Sequence, residues 1–146
     1  MEVFDAQSGE TYVVEGNKDF KLKGSGAKLN NLEGTLLLRI SEVGEYFANP
    51  YGKIHGGAMV TWLDCLTSLA IFAFDKSDRM ESVSLNMTAD FMNAASQKPL
   101  LFKVIVRKIG KMIAFTECEI LDEKFKLLAS CTHKKAFINA KVMAKL

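Results

Sequence analysis

Proline is almost missing from this chain, with 2 in 146 residues, and glycine is held to 10. Long linkers have no room, and one domain is the natural count at roughly 100–200 residues per domain. Such a domain buries roughly two-thirds of the surface its unfolded chain exposes, enough for a real core. A separate nucleotide-binding domain does not fit, so any chemistry comes from one small domain or from sites shared between copies of it. Cysteine is also scarce: Cys65, Cys118 and Cys131 are odd in number and widely spaced. They form neither a metal-ligand cluster nor a disulfide framework, and a reducing compartment is expected. Cys65 lies in an apolar run, which favours a packed thiol over a nucleophile. The N-terminal MEVFDAQSGE is acidic and carries no apolar or Arg-rich amphipathic stretch. No secretory or mitochondrial presequence is visible, and a cytoplasmic location is expected, with mitochondrial association left open.

An overall excess of either charge is absent too, the net charge being +2. That value is a balance of opposites. Residues 1–97 hold 8 Lys and Arg against 13 Asp and Glu, −5, and residues 98–146 hold 11 against 4, +7. A basic C-terminal third suits an anionic partner such as phosphate, nucleic acid or a membrane surface, or serves as a solvated face. No zinc-finger, helix-turn-helix or RNA-recognition pattern accompanies the lysines, so a nucleic-acid partner is not expected. What the chain does have is 49% hydrophobic and 10% aromatic residues with 25% charged, which excludes a disordered or fibrous polymer.

The apolar residues are patterned. Residues 1–32 carry the weakest pattern and read equally as a short helix, a strand or an arm. GTLLLRI, Gly34 to Ile40, reads as a strand, and GEYFANPYG, Gly44 to Gly52, has the composition of a loop. Gly56 to Phe74 is apolar except for Thr61, Asp64, Thr67 and Ser68. On a helix Thr61, Asp64 and Ser68 make one narrow polar stripe, and the rest of the surface predicts burial nearly all round. A transmembrane span is the rival reading at 19 residues. Asp64 near its middle would cost roughly 2.5–3.5 kcal/mol on insertion scales, and no second span follows, so membrane insertion is not expected. From Glu81 to Met92, Val83, Leu85, Met87, Ala89 and Phe91 alternate with polar residues, giving one apolar and one polar face. Leu100–Lys108, Met112–Leu121 and Phe125–Phe137 follow across short gaps, an antiparallel meander. A helix this apolar cannot sit on a solvated face, so the sheet is expected to curl around it. The fold class is α+β: a long central helix wrapped by a curved antiparallel sheet of five or six strands.

Three features meet at the start of that helix. His55-Gly56-Gly57 places glycines at the entry, where free N–H groups and the positive end of the helix dipole can receive a carbonyl oxygen. Asp64 stands about two turns further on. Asn49 lies in the loop six residues before His55. Each has a plain structural explanation: a paired buried carboxylate, a hydrogen-bonding histidine, a turn asparagine. A carboxylate beside an activated carbonyl also suits a general base or nucleophile.

The joint spacing N-x-x-G-x-x-H-G-G-x6-D, from Asn49 through Gly52, His55, Gly56 and Gly57 to Asp64, resembles the hotdog-fold acyl-CoA thioesterases, in their phenylacetate-pathway-like branch. SVSLNMTADFM and KIGKMIAFTECEILDEKFKLLASCTH continue the likeness, which covers roughly residues 34–137. The resemblance implies a hotdog domain over residues 33–140, an arm over 1–32 and a tail over 141–146. It also implies pairing into a double-hotdog dimer, a dimer of dimers (homotetramer), with sites at the dimer interface. The implied reaction is hydrolysis of an acyl-CoA to free acid and CoA, a step of fatty acid metabolism. Gly56 would polarise the thioester carbonyl, Asn49 would hold the substrate or the attacking water, and His55 would support the loop and the carbonyl. Asp64 of the neighbouring subunit would act as base or nucleophile, and Ser84 would help to position water.

CoA contacts would fall on Asn93, Ala94, Ala95 and Ser96, and on Lys108, Ile109, Gly110, Lys111, Met112 and Ile113, where Lys108 and Lys111 flank a glycine. An ordinary solvated hairpin explains those lysines equally well. The acyl chain would run along Met59, Trp62 and Leu66, which also suit a plain core. Three departures stand out. Pro50 and Tyr51 fill variable positions, Trp62 is unusually bulky for this helix, and Ala94-Ala95-Ser96 lacks the proline and lysine frequent in that loop. No metal and no cofactor is expected, coenzyme A being part of the substrate. A non-catalytic acyl-CoA-binding hotdog protein is the alternative. A hotdog dehydratase places its acid and histidine differently.

Overall fold

The computed structural model describes residues 2–5, 11–13, 34–40, 43–75, 82–96 and 99–138. Along the chain come β1 (Glu2–Asp5), β2 (Thr11–Val13), β3 (Gly34–Ile40), a 3-10 turn (Glu45–Phe47) and helix α1 (Gly56–Phe74). The strands β4 (Ser82–Phe91), β5 (Leu100–Ile109), β6 (Ile113–Asp122) and β7 (Leu127–Phe137) follow. All strand pairs are antiparallel, in the order β2-β1-β3-β5-β6-β7-β4. The five strands from β3 to β4 and the single long helix are those expected. β1 and β2 come from the segment whose pattern was weakest, and they extend the sheet beyond β3. Most of residues 1–32, and the tail 141–146, lie outside the described residues.

Period-2 alternation builds the floor on which the helix lies. In β5, Leu100, Phe102, Val104 and Val106 are buried, and in β6 Ala114, Thr116, Cys118 and Ile120 are. The intervening residues face outward, where Lys103 meets Glu119 at 3.3 Å and Arg107 meets Glu117 at 2.7 Å. The Arg107 guanidinium holds the Glu117 carboxyl below its usual range. The helix lays Met59, Leu63, Leu66, Thr67, Ala70 and Ile71 onto the floor. Gly34 in β3 lets this happen at the helix end: a Cβ there would stand 2.6 Å from the Phe74 ring.

Two expectations need revision. The helix is not buried nearly all round, since Thr61 and Cys65 are exposed and Val60, Trp62, Ser68, Leu69 and Phe72 only half-buried. The sheet covers one side of it, and the opposite side, with Thr61, Cys65, Ser68 and Phe72, is only partly covered in the single chain. The alternation in β4 also breaks. A bulge between Ser84 and Asn86 leaves Leu85 without a register partner. Beyond the bulge Met87 and Ala89 pack against the core. Val83, ahead of it, is 44% and the bulged Leu85 55% exposed, while Ser84 reaches the helix. One inserted residue reverses which face a strand's side chains take. Ser84, expected on the polar face, thereby joins the core-facing one.

Candidate active site

The first group of residues surrounds the helix entry. The loop from Phe47 to His55 closes on itself through the bridge Ala48↔Ile54, with His55 N–H donating to Phe47 O at 2.7 Å. Asn49 Oδ1 accepts from the N–H groups of Tyr51 (3.0 Å) and Lys53 (3.1 Å). That shapes the turn, with Gly52 at φ +67°, and it fixes the amide orientation. Among the described residues nothing accepts from Asn49 Nδ2, which is left as a free donor. His55 is the N-cap, its Nδ1 accepting the Gly57 N–H at 2.9 Å. A Cβ on Gly57 would come within 3.0 Å of that nitrogen, so the second glycine makes room for the cap. Gly56, the first helical residue, has an N–H with no intrahelical acceptor, and Phe91 lies 3.7 Å from where its Cβ would be.

The second group lies two turns along. Asp64 Oδ1 accepts from Ser84 Oγ at 3.1 Å and from Lys135 Nζ at 3.0 Å. Lys135 also donates to Ser68 Oγ at 2.6 Å and to Ser84 Oγ at 3.1 Å. The Asp64 side chain is 46% exposed and that of Lys135 only 5%. Partial burial pushes the Asp64 carboxyl up, but the Lys135 hydrogen bond and charge, the Ser84 hydroxyl and nearby His133 outweigh it. The pKa therefore lies below the ordinary value. His133 is fully buried, with Nδ1 2.7 Å from Thr67 Oγ1 and an unpartnered Nε2 3.7 Å from Asp64 Oδ1. Burial first, then Lys135, pushes its pKa down.

These groups are separate within one chain. Seven helical residues lie between Gly56 and Asp64, an eight-step rise of about 12 Å at 1.5 Å per residue. Asp64 and Ser84 come together, as do Asn49, His55 and Gly56, but the two sets do not meet. Lys135 and His133 escaped sequence reasoning because both sit in a stretch that reads as basic surface. The signal was their phase, since Ala129, Cys131, His133, Lys135 and Phe137 are all buried along β7.

The expected CoA contacts divide. Asn93 Nδ2 donates to Leu127 O at 2.8 Å, tying the end of β4 to β7. Ala95 is fully buried, its carbonyl accepting the Ile54 N–H at 2.9 Å. Ala94 is exposed and Ser96 half-buried. In the β5–β6 hairpin Lys108, Lys111 and Met112 are exposed, while Ile109, Gly110 and Ile113 are half-buried. Cys65, expected as a packed thiol, is exposed instead, and the two buried thiols are poor nucleophiles. Cys118 and Cys131 face each other in register, and burial pushes both up, Cys131 to about 11. No cluster of three or more His, Cys, Asp or Glu able to hold a metal occurs among the described residues.

The sequence profile of the thioesterase superfamily matches residues 51–129, more than half of the chain. The chain belongs to that family. Human acyl-coenzyme A thioesterase 13 is 29% identical over 96 residues, 64% of this chain and 67% of that protein. The crystal structure of zebra fish thioesterase superfamily member 2 is 28% identical and superposes with a TM-score of 0.62, over 73% of this chain and 75% of that one. A Streptococcus pneumoniae thioesterase protein crystallised with coenzyme A shares the fold at 17% identity and a TM-score of 0.63, over 77% and 86% of the two chains. One long helix against an antiparallel sheet is the hotdog fold of these neighbours, and the enzyme is a thioesterase. The matched span contains His55, Gly56, Asp64 and Ser84, and begins two residues after Asn49.

Proposed function

We propose that this thioesterase hydrolyses acyl-CoA to free acid and CoA, at a site built from two chains. A thioester needs an activated water and a stabilised oxyanion, and the two residue groups supply one each. Water held by Asp64, with Ser84 beside it, loses its proton to the carboxylate as its oxygen bonds to the carbonyl carbon. The oxyanion is received by the Gly56 N–H of the other chain, at the positive end of α1. Asn49 Nδ2 is the second donor at that end, and His55 supports both by capping the helix. As the carbonyl reforms, the C–S bond breaks and CoA leaves as the thiol, taking the proton that Asp64 received and restoring the carboxylate. No metal or cofactor enters this scheme. The separation of Gly56 from Asp64, about 12 Å along the helix axis, carries the reading, since no single carbonyl reaches both in one chain. The open side of α1 and the free edge of β4, with Val83 and Leu85 exposed, offer the surface for a homodimer. A dimer of dimers, a cytoplasmic location and a role in fatty acid metabolism complete the proposal.

Phosphates of CoA meet Lys108 and Lys111 in this scheme, on the basic C-terminal third. The test is a thiol-release assay across acyl-CoAs from acetyl to palmitoyl and aryl, with size-exclusion chromatography alongside. Turnover that Asp64→Asn lowers at least tenfold, on a folded oligomer, is the expected result. Binding of acyl-CoA without thiol release would establish the non-catalytic alternative instead.

A further inference from the structure

We propose that Lys135 is a positioning residue for this hydrolysis, pinning Asp64 by Oδ1 so that Oδ2 is the oxygen presented to water. The proposal rests on the hydrolytic reading above. An ammonium has three hydrogens, and Lys135 has three acceptors: Asp64 Oδ1 at 3.0 Å, Ser68 Oγ at 2.6 Å and Ser84 Oγ at 3.1 Å. The two hydroxyls then point their own hydrogens onward, Ser84 to Asp64 Oδ1 at 3.1 Å and Ser68 to the Asp64 carbonyl at 2.7 Å. Three of these five bonds end on Asp64, the other two link Lys135 to the two serines, and both bonds to the carboxylate end on the same oxygen. Among the described residues Oδ2 accepts nothing, although the side chain is 46% exposed.

Geometry makes Lys135 suited to this task. It is the register partner of Ser84 across the β4–β7 ladder, so both side chains rise from the sheet toward the same stretch of α1. A buried lysine is costly unless its charge and hydrogens are met, and here all three hydrogens are.

His133 is the other titratable group that β7 turns toward Asp64, and it does not compete. The Thr67 hydroxyl has a single hydrogen, directed at the Leu63 carbonyl (2.8 Å) and the Asp64 carbonyl (3.0 Å). It therefore accepts from His133 Nδ1–H. In the neutral ring Nε2 is then a bare lone pair, 3.7 Å from Oδ1, with no hydrogen to give. Lys135 is the only cation bonded to Asp64 among the described residues, and Ser84, from β4, is uncharged.

The experiment compares the full-length wild type with Lys135→Met, which keeps the length and apolar stem and removes the charge. Three readouts are taken: kcat and KM for one acyl-CoA, the pH profile of kcat/KM, and the carboxyl titration of Asp64 by carbon NMR without substrate. Asp64→Asn assigns the resonance. The expected result is a kcat at least about tenfold lower with KM changed less than about twofold. The Asp64 titration and the acid limb of the profile should both move upward, by about one pH unit or more. Lys135→Gln keeps an N–H donor without the charge; it should move both in the same direction and serves if Lys135→Met fails to fold. An active wild type whose Lys135 variants match it in kcat and in Asp64 titration overturns the proposal alone. A wild type that hydrolyses no thioester, while Asp64 still titrates higher without Lys135, overturns the hydrolytic reading and the catalytic part of the proposal with it.

Discussion

Two individually crippled chains should restore one another if each site borrows from both. Asp64→Asn removes the carboxylate from one chain. Removing the oxyanion donor from the other requires deleting a backbone N–H, and the structure shows how. Gly56 is the first helical residue, where proline is well tolerated and the lost N–H breaks no intrahelical bond. His55 before it has φ −66° and ψ 137°, the extended conformation that a residue preceding proline prefers. The nearest side-chain atoms to a Gly56 Cβ are those of Phe91 at 3.7 Å, ordinary contact. Gly56→Pro should therefore fold, and losing one oxyanion donor costs about 10²–10³ in kcat. Gly56→Ala, which keeps the N–H, should cost far less.

When the two inactive proteins are unfolded, mixed in equal amounts and refolded, half of the dimers are mixed. Each mixed dimer has one site with a normal Gly56 and a normal Asp64, and one site with both altered. Recovery of about 25% of wild-type activity per chain follows from the symmetry of the pair. Thiol release measures it, and differently tagged chains verify the mixing. Activity no greater than the average of the two parents, with mixed dimers present, would refute the shared site. Each chain would then need a geometry that brings carboxylate and helix end together despite the 12 Å of helix between them.

Further outcomes follow from individual contacts. Gly34→Ala places a Cβ 2.6 Å from the Phe74 ring and should lower stability by about 1–3 kcal/mol in urea unfolding. His133 has its pKa lowered in the folded chain, so the unfolded chain binds more protons as pH falls through the histidine range. The stability contributed by neutral His133 is present above pH 6.5, the ordinary histidine value, and is lost below it. The thermal midpoint should fall as pH is lowered through that value, and His133→Asn should flatten the fall. Lys111→Glu should raise KM for CoA thioesters more than for an N-acetylcysteamine thioester; equal effects would remove Lys111 from the phosphate site. Trp62, braced by Phe47 at 5.2 Å and Phe102 at 5.9 Å, should limit acyl length. Trp62→Ala should shift the preferred substrate toward longer chains in the acyl-CoA series.

Much of the fold was legible because its strongest signals are local. A nineteen-residue run that opens on Gly56-Gly57 and is polar only at Thr61, Asp64, Thr67 and Ser68 specifies a helix, and alternating residues specify β5, β6 and β7 with short turns between them. The pairing of β4 with β7 depends on contacts across the whole domain, and no local pattern shows it. The Ser84 bulge is equally hidden. An unbroken alternation from Val83 to Phe91 satisfies period-2 reasoning, yet the carboxylate on α1 is met only if Ser84 turns toward the helix. Asp64 was legible as the one charge in a greasy helix. Its partner was not, because Lys135 follows another lysine at the end of a basic segment, and only the phase of β7 shows which of the two points inward.

The partly open helix and the polar cluster beneath it have one explanation between them. An amphipathic helix with a single apolar side would be complete on this sheet, since the sheet buries only the face bearing Met59, Leu63, Leu66, Ala70 and Ile71. The sequence instead keeps Val60 and Phe72 half-buried on its other sides. Solvent does not require them, and beside the exposed Val83 and Leu85 of β4 they suit a face that meets a second chain. A second helix laid against that open side would bring its own N-terminus, with Gly56, toward this chain's Asp64 if the two ran antiparallel. The half-exposed carboxylate would then lose water on the side away from Lys135, strengthening every electrostatic contact made there. Lys135 matters most in that state: without its charge, further burial would drive Asp64 toward the protonated form, and pairing of the chains would extinguish the base it was meant to enclose.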